Sequence, residues 1–100
     1  MEIHQPSQST LEKYGLTLDL WLAIWEHQGK KCPVCDKEPK TGTGVEFHID
    51  HRHVPKWSAM PPEERRKYVR GIVCHWCNRS YLSKGMTRFK AFHLIDYLAE

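Results

Sequence analysis

The stretch VRGIVCHWCN, residues 69–78, joins a short apolar run to two cysteines in a C-x-x-C arrangement. The apolar run predicts a β-strand, and the Cys74/Cys77 pair predicts a tight turn that presents two sulfur atoms. A second pair, Cys32 and Cys35, lies earlier in KKCPVCDKEP. Two such pairs are typical of a structural zinc site, in which four thiolates surround one ion at about 2.3 Å. We therefore predict one zinc ion that links the two turns.

Composition sets the limits of this prediction. The chain has 100 residues, 40% of them hydrophobic, and a net charge of +3. A chain this short buries a modest core, so a metal staple would add needed stability.

The sequence contains no apolar run of about 20 residues and no apolar signal core near its start, so we expect a soluble, cytoplasmic protein. Cytoplasmic thiols stay reduced, which favours zinc over two disulfides. The other alternative is an iron–sulfur cluster, and no feature of the sequence favours it. The mild positive charge permits an anionic partner without requiring one.

The segment VEFHIDH between the cysteine pairs alternates strictly between apolar and polar residues. The alternating residues are Val45, Phe47 and Ile49 on one side and Glu46, His48 and Asp50 on the other. This pattern predicts a strand with its apolar side inward, its polar side outward and its end near His51. We expect it to form a hairpin with residues 69–74.

Helical spacing appears at both ends of the chain. Leu18, Trp21, Leu22 and Trp25 predict an amphipathic helix over residues 18–28, capped by Thr17 and ended by Gly29. A short helix should begin near Pro61 and Pro62, ahead of Glu63 and Glu64. A last helix, capped by Thr87, should place Phe89, Phe92, Ile95 and Leu98 along one side, with both phenylalanines in the core. Residues 1–13 are polar and are expected to form a flexible arm.

The hairpin predicts a site at one end. It should bring Asp50 and His51 near Asn78, which follows the second cysteine pair. Carboxylate and amide oxygens suit a hard ion such as Mg²⁺, and a neutral histidine suits proton abstraction near neutral pH. Because four thiolates would fill the zinc shell, the zinc is structural and any catalysis must come from elsewhere, for which these three residues are candidates.

Taken together, YGLTLDLW, CPVC, FHIDHRH and VRGIVCHWCN resemble the HNH, or ββα-metal, nucleases, and specifically the phage recombination endonuclease VII-like group. The resemblance covers roughly residues 14–82. It implies an α+β fold: a small zinc-stapled domain over residues 14–100, with a ββα-metal core, an N-terminal amphipathic helix and a C-terminal helix. It also implies metal-dependent phosphodiester hydrolysis of DNA, with 5′-phosphate and 3′-hydroxyl products. By resemblance, Asp50 and Asn78 hold Mg²⁺ or Mn²⁺, His51 is the general base, and His53 assists at the phosphate or the metal.

Residues 52–68 depart from the shorter turn of that group and carry many cations. The predicted phosphate contacts are Arg52, Lys56, Arg65, Arg66, Lys67, Arg70 and Arg79. Trp57 is interpreted either as a base-stacking residue or as a loop anchor. Since few residues follow Asn78, we expect a nick or cut in simple DNA rather than junction resolution.

Two other functions fit the same sequence. One is a non-catalytic zinc-ribbon module that binds nucleic acid, and the other is an accessory nuclease subunit working with phage packaging or recombination proteins. The resemblance to phage enzymes places the protein in the host cytoplasm. We expect a monomer or weak dimer with no membrane partner.

Overall fold

The computed structural model describes residues 3–39, 46–82 and 85–99. Its centre is an antiparallel hairpin of β1 (Phe47–His51) and β2 (Val69–Cys74). Phe47 pairs with Cys74 and Ile49 with Ile72, so the predicted hairpin is confirmed. Val45, the first residue of the predicted alternation, lies outside the described residues.

The pairing contains a β-bulge near the end of β1. Asp50 pairs with Gly71, but His51 pairs with Val69, so Arg70 is an extra residue in β2. A bulge bends the strand and redirects the side chains beside it, and bulges are frequent next to functional sites. The irregularity falls on the two residues, Asp50 and His51, that the sequence marks as chemically important.

Helix α2 (Leu18–His27) covers the apolar side of the hairpin, close to the predicted bounds. Thr17 caps it by accepting a hydrogen bond from the Leu20 N–H at 3.2 Å, and both tryptophans are buried as predicted. The ring of Trp25 meets Phe47 edge-on at 5.2 Å. Just beyond the helix, the Gln28 side-chain amide accepts from the Ile72 N–H and donates to the Ile72 carbonyl, at 3.0 and 2.6 Å. This clamp satisfies the backbone of β2 and fixes the helix against the hairpin.

Helix α1 (Gln8–Lys13) lies where a flexible arm was expected. Ser7 caps it, and Leu11 is only 2% exposed in the main core. The arm expected over residues 1–13 therefore contains a helix at residues 8–13. The polar composition of this segment did not predict a helix, because a single leucine, Leu11, makes the buried contact. The core residues around it are Leu16, Trp21, Trp25, Ile49 and Ile72.

A close backbone contact joins the end of α1 to the loop between the strands. Gly15 has a φ of +70°, and a Cβ added there would overlap the carbonyl oxygen of Pro62, which begins α3 (Pro62–Arg65). Arg66 donates from Nε to the Gly15 carbonyl at 2.6 Å, and Arg65 donates to the Lys13 carbonyl at 3.0 Å. Only glycine satisfies both the backbone angle and the approach.

We predict that Gly15→Ala destabilises the protein far more than Gly29→Ala. Both glycines have positive φ, so both variants carry the left-handed penalty of about 1–2 kcal/mol. A Cβ at Gly29, however, meets only the Lys31 side chain at 3.8 Å, whereas Gly15 must also move the Pro62 backbone. Urea unfolding should show an additional loss of roughly 1–3 kcal/mol for Gly15→Ala, on the scale of overpacking. Equal losses in the two variants would contradict this contact.

Helix α4 (His75–Ser80) begins directly after β2 and contacts both strands. Cys74 caps it, with its sulfur 3.5 Å from the Cys77 N–H. The β-hairpin and this helix together form the predicted ββα arrangement. The second buried cluster lies here and comprises Cys32, Val73, Cys74 and Cys77.

Helix α5 (Arg88–Leu98) begins after Thr87, as predicted. Its apolar side is not in the core: Phe89 and Phe92 are 73% and 58% exposed, and Ile95 and Leu98 are exposed as well. The predicted core placement of the phenylalanines is therefore wrong. Helical spacing identifies an apolar stripe but not the surface that covers it. None of the described helices combines the length and the apolar character needed to cross a membrane.

Candidate functional site

The four cysteines form one cluster. Their sulfur atoms all lie within 4.8 Å of one another, and the Cys35 and Cys74 sulfurs are 3.7 Å apart. Tetrahedral zinc with bonds of about 2.3 Å requires sulfur–sulfur distances of about 3.8 Å. Three of the cysteines are buried, and Cys35 is exposed. The donor set and its spacing fit a structural zinc ion.

The first cysteine turn is shaped by its own backbone. The Cys32 N–H donates to the Lys37 carbonyl at 2.9 Å, and the Asp36 N–H donates to the Cys32 carbonyl at 2.8 Å. Burial raises the pKa of the Cys32 thiol, but hydrogen bonds from the backbone of Cys74, Cys35 and Val34 outweigh it and lower the pKa to about 7. Burial raises the pKa of Cys35 in the same turn, so within this turn Cys32 alone is shifted toward the thiolate, the form that binds a metal.

Asp50 is buried, at 4% exposure, although alternation predicted an outward position. Arg70 explains the difference. Its Nε and Nη2 donate to the two carboxylate oxygens at 2.7 and 3.0 Å, a bidentate pair. The bulge supplies the extra residue that reaches this carboxylate, and the charge of Arg70 offsets the cost of burying Asp50.

His51 is the last residue of β1, as predicted, and its ring lies among other rings. It stacks on Trp57 at 4.1 Å with an interplanar angle of 19°, and Tyr14 lies 5.7 Å away. Burial lowers the pKa of His51, and the positive charges of His53, Arg70 and Lys13 act in the same direction, against Asp50. The imidazole is therefore mostly neutral at pH 7, the form that accepts a proton.

Trp57 and Tyr14 were not among the predicted site residues. Trp57 anchors the loop: its ring stacks on His51, and the Arg65 guanidinium lies 4.9 Å from it on a cation–π contact. Its indole Nε1 is buried without a hydrogen-bond partner among the described residues, a cost that the ring contacts must offset. Of the two interpretations of Trp57, the structure supports the anchor. The YGLT stretch was the only sequence signal for Tyr14.

Asn78 is the fourth residue of α4 and lines an open cavity of about 580 Å³. Glu46, His48 and Ile49 line the same cavity, whereas Asp50 is not among its lining residues. The described contacts thus place Asn78 beside β1 without joining it to the Asp50 carboxylate. A shared ion on Asp50 and Asn78 stays a prediction.

The predicted phosphate contacts fall into two groups. Arg52 and Arg70 line a second cavity of about 550 Å³, together with His53 and Arg88, which the sequence analysis missed. In contrast, Arg65 donates to the carbonyls of Trp57, Ser58 and Lys13, and therefore acts as a loop anchor. The remaining cations are divided: Arg66 binds the Gly15 carbonyl, Lys67 pairs with Glu64 at 3.0 Å, and Lys56 and Arg79 are exposed. Contact of these cations with DNA stays a prediction.

The hairpin, the packed helix and the four-cysteine cluster define a small α+β domain whose cysteines could hold a structural zinc ion. The sequence model of the recombination endonuclease VII family matches residues 7–100, so the chain belongs to that family. This membership supports a nuclease role and confirms the resemblance to phage enzymes. The match also includes α1, in agreement with the order of that helix.

Two phage proteins resemble the chain. The Gene 59 protein of Mycobacterium phage D29 is 31% identical over 89 residues, which cover 88% of this chain and 46% of the phage protein. The Gene 59 protein of Mycobacterium phage L5 is 29% identical over 89 residues, with the same coverage. The chain therefore spans about half the length of these relatives. No solved structure gave a significant match.

Proposed function

We propose that the protein is a metal-dependent DNA endonuclease or nickase of the HNH, ββα-metal type. The observation that carries this proposal is His51: a neutral imidazole held in an aromatic stack beside Asp50, in a chain of the endonuclease VII family. A general base needs the unprotonated form at the working pH and a fixed position. His51 has both.

The proposed ion is Mg²⁺ or Mn²⁺, bound by Asp50 and Asn78. A carboxylate and an amide carbonyl are the oxygen donors that such hard ions prefer. Each oxygen of the Asp50 carboxylate accepts one hydrogen bond from Arg70 and retains a second lone pair for a cation. When bound, the ion would stabilise the negative charge that develops on the phosphate and the leaving oxygen.

The proposed reaction is hydrolysis of a phosphodiester. His51 removes a proton from a water molecule, whose oxygen forms a bond to phosphorus while the bond to the 3′ oxygen breaks. The products are a 5′-phosphate and a 3′-hydroxyl. Tyr14 and Trp57 hold the ring of His51, and His53, with its ring 5.0 Å from that of His51, is placed to orient the phosphate.

The proposed DNA path follows the cavity formed by Arg52, His53, Arg70 and Arg88. Three guanidinium groups around one concave surface carry the positive charge that a nucleic-acid backbone attracts. Lys56, Lys67 and Arg79 would extend this contact. The proposed place of action is the host cytoplasm, and recombination or packaging proteins are the proposed partners.

Plasmid cleavage tests the proposal. The zinc-loaded protein, supercoiled plasmid and Mg²⁺ or Mn²⁺ should yield nicked or linear DNA. Asp50→Asn and Asn78→Ala should each reduce the rate by about 100-fold or more, since a bound ion supplies several kcal/mol of charge stabilisation. His27→Ala, an exposed histidine at the end of α2, is the matched control and should cleave like the wild type.

Other outcomes would favour a different function. The closed Asp50–Arg70 pair is the observation that favours a non-catalytic binding module, because the guanidinium already neutralises the charge of the carboxylate. DNA retardation without any cleavage would support that module and contradict the endonuclease. Cleavage that begins only when a phage partner is added would identify an accessory subunit.

A further inference from the structure

A second group of metal-ligating side chains lies on the hairpin, apart from the four cysteines. It comprises Glu46, His48 and His75, and one ligand atom from each lies within 4.8 Å of the others. The His48 Nε2 is 3.1 Å from the His75 Nδ1 and 3.6 Å from the Glu46 Oε2. Tetrahedral zinc with bonds of about 2.0–2.1 Å requires ligand atoms about 3.3–3.4 Å apart. The two shorter distances bracket this value.

The backbone brings these three residues together. Glu46 and His48 are two residues apart at the start of β1, so an extended chain places them on the same side. His75 opens α4 directly opposite, because Phe47 pairs with Cys74. A hydrogen bond from the His75 N–H to the Glu46 carbonyl, at 2.8 Å, fixes the two segments to each other. Only the side chains need to adjust to accept an ion.

We propose that Glu46, His48 and His75 bind a second, exchangeable transition-metal ion, of the class Zn²⁺, Ni²⁺ or Co²⁺. Two imidazoles and one carboxylate select this class, whereas Mg²⁺ and Ca²⁺ prefer oxygen ligands alone. The site is separate from the cysteine cluster, and it does not include Asp50. It extends beyond the proposed nuclease function and does not depend on it.

The surroundings indicate an open site. Glu46 and His75 are exposed and His48 is partly exposed, so water reaches all three ligands. Glu46 and His48 also line the cavity of about 580 Å³ that contains His4 and Asn78. Three protein ligands leave a coordination position for water or another oxygen ligand, unlike the closed thiolate site. An ion held here would exchange with the solution and place positive charge beside Asn78.

The alternative is a simple hydrogen bond. At 3.1 Å, one neutral imidazole can donate to the other without any metal. The Glu46 carboxylate argues for a cation. It places a negatively charged ligand atom 3.6 Å from His48, although water could hydrate the carboxylate equally well at this exposed position. Metal affinity distinguishes the two cases.

Isothermal titration of the zinc-loaded, untagged protein with Ni²⁺ is the decisive measurement. The wild type should take up one Ni²⁺ per chain while metal analysis shows that the cysteine-bound zinc is retained. His48→Gln and His75→Gln should each weaken this binding by at least about tenfold, and Glu46→Gln should also weaken it. His27→Gln removes an exposed imidazole elsewhere and should bind Ni²⁺ like the wild type. Asp50→Asn should also bind normally, which separates this site from the proposed catalytic ion.

The proposal is overturned if the wild type binds no Ni²⁺ beyond its zinc, or if both histidine variants bind as well as the wild type. Equal losses in Asp50→Asn and His48→Gln would instead assign the ion to the nuclease centre. Thermal unfolding of each variant shows whether the fold is kept. A variant with an unchanged unfolding transition and one zinc per chain has lost only a ligand of the second metal ion. A negative result leaves plasmid cleavage intact, so the two proposals fail separately.

Discussion

Chelation of zinc from the four cysteines is expected to unfold the protein rather than only to inhibit it. Structural zinc contributes about 10–16 kcal/mol in small zinc domains, whereas a typical domain has a net stability of about 5–15 kcal/mol. In this protein the bound metal would do the work of apolar packing, because the second buried cluster consists of only Val73 and three of the cysteines. The cluster joins the first cysteine turn to the end of β2 and the start of α4.

Circular dichroism during chelation, with zinc measured in parallel, checks this expectation. Far-ultraviolet helical signal and the cooperative thermal transition should disappear as zinc leaves, and added zinc should restore both. Cys74→Ser should behave like the chelated protein, whereas Val34→Ser, an exposed position within the first cysteine turn, should keep its zinc and its transition. A metal-free chain that melts at the same temperature as the zinc-loaded chain would refute the structural role.

Loss of the His51 imidazole should abolish most of the cleavage. General-base catalysis typically contributes about 10²- to 10⁴-fold, so His51→Ala should reduce the rate by that factor with little change in DNA binding. The substitution removes one face of the stack on Trp57, so the unfolding transition must be measured as well. Cleavage at the wild-type rate by a folded His51→Ala protein would eliminate His51 as the base.

The pH dependence gives an independent test of the same residue. A base works in its neutral form, so the rate should rise as pH increases through the pKa of His51 and then reach a plateau. Burial, followed by nearby positive charge, lowers that pKa from 6.5, so the midpoint of the rise should lie below 6.5. Trp57→Ala would expose the ring and move the midpoint to higher pH. A wild-type midpoint above 6.5 would be inconsistent with the described surroundings.

Much of this fold could be predicted because its signals are local. Alternation identified β1, an apolar run identified β2, capping residues identified the starts of α2 and α5, and cysteine spacing identified the four-cysteine cluster. The errors have a different origin. Leu11 and the phenylalanines of α5 were misplaced because burial depends on which surfaces meet, and composition or helical spacing does not contain that information.

The candidate site, like the fold, was predicted where the signals are local and missed where they depend on the folded chain. Motifs marked Asp50, His51 and Asn78, and the structure confirms that His51 ends its strand. The Asp50–Arg70 pair was missed because it depends on a bulge, and no residue pattern announced one. Arg65 was assigned to phosphate because its charge is visible in the sequence, whereas its three carbonyl partners come from segments that meet only in the folded chain.

The bulge at Arg70 also affects which changes of length the hairpin tolerates. Loss of a residue within a regular strand reverses which side chains face the core beyond that point. Loss of Arg70 would instead place Val69 and Gly71 opposite His51 and Asp50 in continuous register, so the ladder would become more regular. Position 70 is thus a place where a shorter chain could keep the pairing of the strands and lose only the cation that holds Asp50.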